Sequence, residues 1–169
     1  MMIVLGITGG SGCGKTAVCE HLMDLGIDVI DTDKVARMIV SPKMPALFEI
    51  EDEFGSAYLN EDGTLNRKKL GELVFSDPDK LLALNKITHK YITQYVLEYI
   101  KNCENDMVAI DGAVLLESEI ATICDYIIFT EIIVELKSHY YEEDLHYIIA
   151  TFCYNSKSLC SERSFRNEF

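Results

Sequence analysis

The segment Gly9-Gly10-Ser11-Gly12-Cys13-Gly14-Lys15-Thr16 follows the apolar run Met2–Thr8 and precedes Val18, Leu22 and Leu25 at helical spacing. An apolar run without alternation marks a strand covered on both faces, and Gly26, which tolerates a left-handed cap, closes the helix. A strand, a glycine loop and a helix in that order leave the chain few folds to choose from. Gly9-x-x-x-x-Gly14-Lys15-Thr16 also completes the Walker A pattern. Its glycines let successive N–H groups turn toward phosphate oxygens, the helix N-terminus adds partial positive charge, and the Lys15 ammonium reaches the β- and γ-phosphates. The Thr16 hydroxyl is the expected Mg²⁺ ligand. Gly9, Gly10, Ser11, Gly12, Cys13, Gly14, Lys15, Thr16 and Ala17 form the expected nucleotide grip. A tight strand-to-helix turn or a dinucleotide fingerprint would also need glycines, but neither explains Lys15-Thr16.

The alternation continues downstream. Ile27–Ile30 reads as a second buried strand ending at Asp31-Thr32-Asp33, and Val35, Ala36 and Ile39 suit a helix. Leu47, Ile50 and Phe54 give an amphipathic helix stopped by Gly55, and Asn60-Glu61-Asp62-Gly63 a turn. Leu70, Leu73 and Val74 mark another helix. Asp77-Pro78, a side-chain cap followed by proline at the first helical position, starts a long one through Leu81, Leu84, Ile87, Tyr91, Tyr95, Tyr99 and Ile100. Met107–Ile110 and Tyr126–Phe129 are the third and fourth strands. Strands alternating with helices predict an α/β fold: three layers, a parallel sheet with helices on both faces.

At 169 residues the chain suits one domain better than two. Its balance of 15 basic against 28 acidic residues, a net charge of −13, sets a long-range field that repels nucleic acid and anionic lipid. A phosphate ligand must therefore be held by local donors and a metal. The apolar stretch Tyr126–Val134 is broken by Thr130 and Glu131, too short for a membrane span, and Met1–Thr8 lacks the basic start of a secretory signal. The six cysteines include no C-x-x-C pair and no zinc spacing, so reduced thiols and a cytoplasmic location are expected.

Asp111 ends the third strand behind four apolar residues, where a Walker B acid helps hold Mg²⁺; a turn or cap residue is the plain alternative. Asp31 and Asp33 follow the second strand, whose carboxyl end emerges at the phosphate-loop edge of a doubly wound sheet. A carboxylate there can take the proton of an attacking hydroxyl, and Asp31, Thr32 or Asp33 can equally cap the next helix. A switch GTPase should carry D-x-x-G and N-K-x-D. Asp111 is followed directly by Gly112, and Asn85-Lys86-Ile87-Thr88 lacks the final acid, so a small-molecule kinase fits better.

These residues resemble the dephospho-CoA kinase family across several segments. Ile7-Thr8-Gly9-Gly10-x-Gly12-x-Gly14-Lys15 is similar to its phosphate loop. Gly26 through Asp31-Thr32-Asp33-x-x-Ala36-Arg37 is similar to its D-x-D-x-x-A-R stretch. Asp62-Gly63-x-Leu65-x-Arg67-x-x-Leu70-x-x-x-Val74-Phe75, Ile87-Thr88-His89 and Asp111 through Glu117 match further family segments, so the likeness covers about residues 1–130. It implies ATP-dependent phosphorylation of the ribose 3′-hydroxyl of dephospho-CoA, giving coenzyme A and ADP. In that reading Asp33 is the base, Lys15 and Mg²⁺ neutralise the phosphates, and Asp33, Arg37, His89, Leu115, Leu116 and Glu117 contact the acceptor. Residues 1–130 would then form the kinase core, with a helical acceptor-binding insertion over about 42–104.

The chain departs from the family at Ala113, Leu116 and Lys90, where proline, phenylalanine and proline are usual. From Glu131 to Phe169 there is no Gly or Pro, and no arginine stands between Arg67 and Arg163, so the family's arginine-bearing lid has no counterpart that can be aligned. An atypical tail over 131–169 is expected, helical along Leu145, Ile148, Ile149 and Phe152 and disordered from Tyr154. A shifted reading frame or a natural truncation would produce such a tail. Lid and last strand would be missing, an exposed sheet edge would lower solubility, and the fold would grip ATP but transfer phosphate poorly.

Overall fold

The computed structural model describes residues 2–113, 115–135 and 146–155. The chain divides into two compact units, Met1–Ile30 with Glu104–Phe169, and Asp31–Cys103.

The first unit is built on a five-stranded sheet. Strand β1 (Ile3–Gly9) leads through the glycine loop to helix α1 (Lys15–Asp24), and β2 (Asp28–Asp31) follows, its last residue opening the second unit. Strands β3 (Met107–Asp111), β4 (Tyr126–Glu135) and β5 (His146–Asn155) complete the order β2-β3-β1-β4-β5. β1 pairs in parallel with β3, Ile3 opposite Met107 through Ile7 opposite Asp111, and with β4, Leu5 opposite Tyr126 through Gly9 opposite Thr130. The centre of the sheet is apolar on both faces: Val108, Ala109, Ile110 and Ile7 are fully buried. Ile7, Cys19 and Ala109 form one cluster, with Leu5, Val18, Leu22, Ile27, Val29 and Ile128 packed against it. Burial of this kind stabilises by roughly 25 cal/mol for each Å² of apolar surface removed from water, and it fixes β1 as the platform from which the loop springs.

One expectation about the tail is corrected here. The strand that follows β4, β5, is not a further parallel strand but pairs antiparallel with it, Tyr126 opposite Asn155 through Glu135 opposite His146. β4 is thereby extended beyond Phe129 to Glu135, and its edge is covered. Ile148, Ile149 and Phe152 lie in this strand and not in a helix. Tyr147 to Tyr154 is rich in β-branched and aromatic residues, which favour a strand, and a short apolar run carries no period that separates the two states. Tyr154 and Asn155 also belong to β5; Leu145 and the rest of the expected disordered segment lie outside the described residues.

The second unit is helical: α2 (Thr32–Met38), α3 (Pro45–Phe54), α4 (Arg67–Ser76) and α5 (Pro78–Asn102). Asp77 caps α5 by accepting from the amides of Asp79 and Lys80 at 3.1 and 3.3 Å. Gly55, at φ 94°, ends α3. Ala46, Leu47, Ile50, Leu70, Val74, Ile87, Ile92 and Val96 are the buried faces of α3, α4 and α5. Between α3 and α4 the Asn60–Thr64 turn closes on Asp62, which accepts from the Thr64 amide at 3.0 Å and hydroxyl at 2.6 Å.

Candidate functional site

In the first unit the loop after β1 takes the shape its glycines permit. Gly9, Gly12 and Gly14 hold φ of 145°, 78° and 82°, the left-handed side of the map that a side chain resists. Gly14 is the N-cap of α1 and carries no capping side chain, and the first turn has no acidic residue. By contrast α2, α4 and α5 are capped by the side chains of Asp31, Asn66 and Asp77. The first-turn amides of α1, at Lys15, Thr16 and Ala17, thus have no capping side chain, an arrangement that can accept an anion.

Lys15 folds back over this loop and donates to the carbonyls of Gly9 and Gly10, both at 2.7 Å. Its ammonium is thereby held at the loop, where phosphate oxygens can take over from the carbonyls. Ser11 and Gly12 are exposed, and Cys13 is half-buried with its thiol directed to the Ser11 carbonyl at 3.9 Å. Thr16 is exposed on the first turn of α1. Asp111 is half-buried at the end of β3, opposite Ile7 of the neighbouring β1. Hydroxyl and carboxylate are both hard oxygen donors, the chemistry Mg²⁺ selects, and Mg²⁺ sites on phosphate substrates need only one or two protein oxygens. Among the described residues no cluster of three His, Cys, Asp or Glu side chains forms a metal cage.

Behind Asp111 the chain turns under β1. Leu115 is 3% exposed and packs beside Gly6, so its side chain belongs to the core, whereas Leu116 is 51% exposed. Glu117 closes the short 3-10 turn Leu115–Glu117. Cys124, whose thiol is pushed up to about 12 by burial and then by Asp125, also abuts Gly6.

The second unit carries the other residues singled out in the sequence. Asp31 proves to be the cap of α2: its carboxylate accepts from the Lys34 amide at 2.9 Å and pairs with the Lys34 ammonium at 3.0 Å. Partial burial alone would raise its pKa, but the Lys34 amide and ammonium outweigh it and hold the group below its ordinary value. Asp33 is thereby left exposed in the first turn, without a capping task. Arg37 is exposed in the last turn of α2, and its carbonyl accepts from the Arg67 guanidinium at 3.4 Å. His89 is half-buried on α5. Its neighbour Lys90 pairs with Glu49 of α3 at 2.8 Å, and that hydrogen bond holds Glu49 below and Lys90 above their ordinary values. Sequence reasoning missed this clip, because a Glu and a Lys forty-one positions apart carry no local signal.

A family model described as CoaE, dephospho-CoA kinase, matches residues 3–140. A dephospho-CoA kinase of Dehalococcoides mccartyi is 43% identical over 120 residues, covering 69% of this chain and 60% of its own length. One of Lactobacillus acidophilus is 41% identical over 121 residues, covering 71% and 60%. Among solved structures, TT1252 from Thermus thermophilus superposes with a TM-score of 0.63 at 29% identity, over 75% of this chain and 63% of that one. Dephospho-CoA kinase from Campylobacter jejuni gives 0.62 at 26% identity, over 76% and 66%. The chain thus spans about 60% of the length of these curated relatives.

Proposed function

This chain belongs to the dephospho-CoA kinase family, and from that premise we propose that it transfers the γ-phosphoryl group of ATP to the ribose 3′-hydroxyl of dephospho-CoA. The products are coenzyme A and ADP. The observation that carries this reading is the phosphate loop: three glycines at positive φ, an uncapped helix start and the Lys15 ammonium folded over the loop. Phosphoryl transfer asks the protein for positioning and charge neutralisation more than for covalent chemistry. Loop amides from Gly9 to Ala17 orient the β- and γ-phosphates, and Lys15 offsets their charge. Thr16 and Asp111 are the proposed protein ligands of a Mg²⁺ ion, which when bound would supply charge neutralisation at the phosphates.

Asp33 is the proposed base. Asp31 is engaged as the cap of α2, which leaves the Asp33 carboxylate available to accept the proton of the acceptor hydroxyl. Arg37 offers a guanidinium to acceptor phosphate, where paired hydrogen bonds are strongest, and His89 a further donor. In the segment Leu115–Glu117 the exposed Leu116 supplies acceptor contact, while Leu115 anchors the turn. A cytoplasmic location fits the substrate; no helix among the described residues is long and apolar enough to cross a membrane.

Incubation with Mg·ATP and dephospho-CoA tests the proposal. Coenzyme A should form, and Asp33→Asn should lower its rate by about 10²–10⁴-fold while nucleotide affinity is kept. Nucleotide binding without product would mean that the chain grips ATP but does not transfer phosphate, the outcome expected if the lid arginine is indispensable. Turnover with another alcohol alone would move the acceptor assignment.

A further inference from the structure

Among the described residues, Thr8 and Thr130 are the two polar side chains buried in the core, at 2% and 0% exposure. Neither contributes to the nucleotide grip. A buried hydroxyl is retained only at the cost of desolvation, which a hydrogen bond offsets, so the partner it takes is informative. The Thr130 hydroxyl donates to the Thr8 carbonyl at 3.3 Å, tying β4 to β1. The Thr8 hydroxyl donates to the carbonyl of Ala113 at 3.2 Å.

That second bond falls where the chain leaves the sheet. The β1–β3 pairing ends at Ile7 opposite Asp111, and the Gly112 amide adds one more contact, to the Ile7 carbonyl at 3.0 Å. Ala113 is exposed and offers only a methyl group, and the next described anchor is Leu115, buried beside Gly6. Between those two points the Leu115 amide closes the turn on the Gly112 carbonyl at 3.3 Å, and the Thr8 hydroxyl is a side-chain tether from β1 to it. Asp111 itself stands in the strand ladder, opposite Ile7.

We infer that Thr8 is a positioning residue: its buried hydroxyl holds the turn after Asp111 and so sets where Leu116 stands toward the acceptor. The functional part of this inference rests on the kinase reading above. Thr8→Val replaces the hydroxyl by a methyl of the same shape. It should raise the KM for dephospho-CoA about tenfold, the worth of one buried hydrogen bond, with kcat changed less than about threefold and Mg·ATP affinity within about twofold. Thr8→Ser, which keeps the donor, should restore the wild-type KM. Amide hydrogen exchange over 112–118 should quicken in Thr8→Val and not in Thr8→Ser.

An unchanged acceptor KM with unchanged exchange would overturn the inference, as would a loss of ATP affinity as large as the loss for the acceptor. If the wild-type chain makes no coenzyme A, the kinase reading fails, and exchange alone then decides the tether: quickened keeps it, unchanged removes it. Should Thr8→Val fail to fold, Thr8→Ala removes the same hydroxyl without an added methyl and is read by the same criteria.

Discussion

Gly9 and Gly12 both hold positive φ in the phosphate loop, for different reasons. A Cβ on Gly9 would run into the Thr130 carbonyl, backbone that cannot swing aside, whereas a Cβ on Gly12 would meet nothing within 4 Å. Gly9→Ala should therefore cost about 3 kcal/mol or prevent folding, and Gly12→Ala only the conformational penalty of about 1–2 kcal/mol. Urea denaturation of the two variants checks the order, and equal midpoints would contradict it. Asp31 supplies a second residue-scale test. A carboxylate with a lower pKa folded than unfolded adds stability above its unfolded value and loses it as pH falls through the folded one. Its carboxyl carbon should titrate below the ordinary aspartate range, and Asp31→Asn should remove that acid-side loss while preserving the cap. A midpoint not lowered from the ordinary aspartate range would mean that burial outweighs the Lys34 amide and ammonium. Spacing could not choose among Asp31, Thr32 and Asp33 as the cap, since only the direction of the backbone leaving β2 decides it. For the same reason it could not separate the capping carboxylate from the exposed one.

Helix α5 and strand β5 show what determines legibility at the level of elements. Asp77-Pro78 and the apolar period from Leu81 to Ile100 act within a few residues of one another, and α5 begins at Pro78 as they predict. Asp77→Ala should cost about 1 kcal/mol of stability, read as a shift in the denaturation midpoint. No shift would mean that the Asp79 and Lys80 amides find other acceptors. β5 had no comparable punctuation. Its identity comes from pairing with β4, a long-range contact that ten residues of mixed period do not announce, and the wrong helical expectation followed from that. The Leu115–Leu116 pair shows the same limit on a smaller scale: adjacent, chemically identical side chains separate into core and surface only once the turn beyond β3 is in place.

For the whole molecule, a net charge of −13 means that the proposed capture of a triphosphate must be local, against an unfavourable field. The first unit holds the proposed means: the loop amides, Lys15, Thr16 and Asp111. The second unit carries Asp33, Arg37 and His89. Isothermal titration of Mg·ATP into the wild-type chain and into Lys15→Glu tests the central claim most directly. Saturable heat at one site in the wild type, retained in Asp33→Asn and abolished in Lys15→Glu, is the predicted result. No heat from folded wild-type protein, or the same heat after the charge at position 15 is reversed, would contradict it.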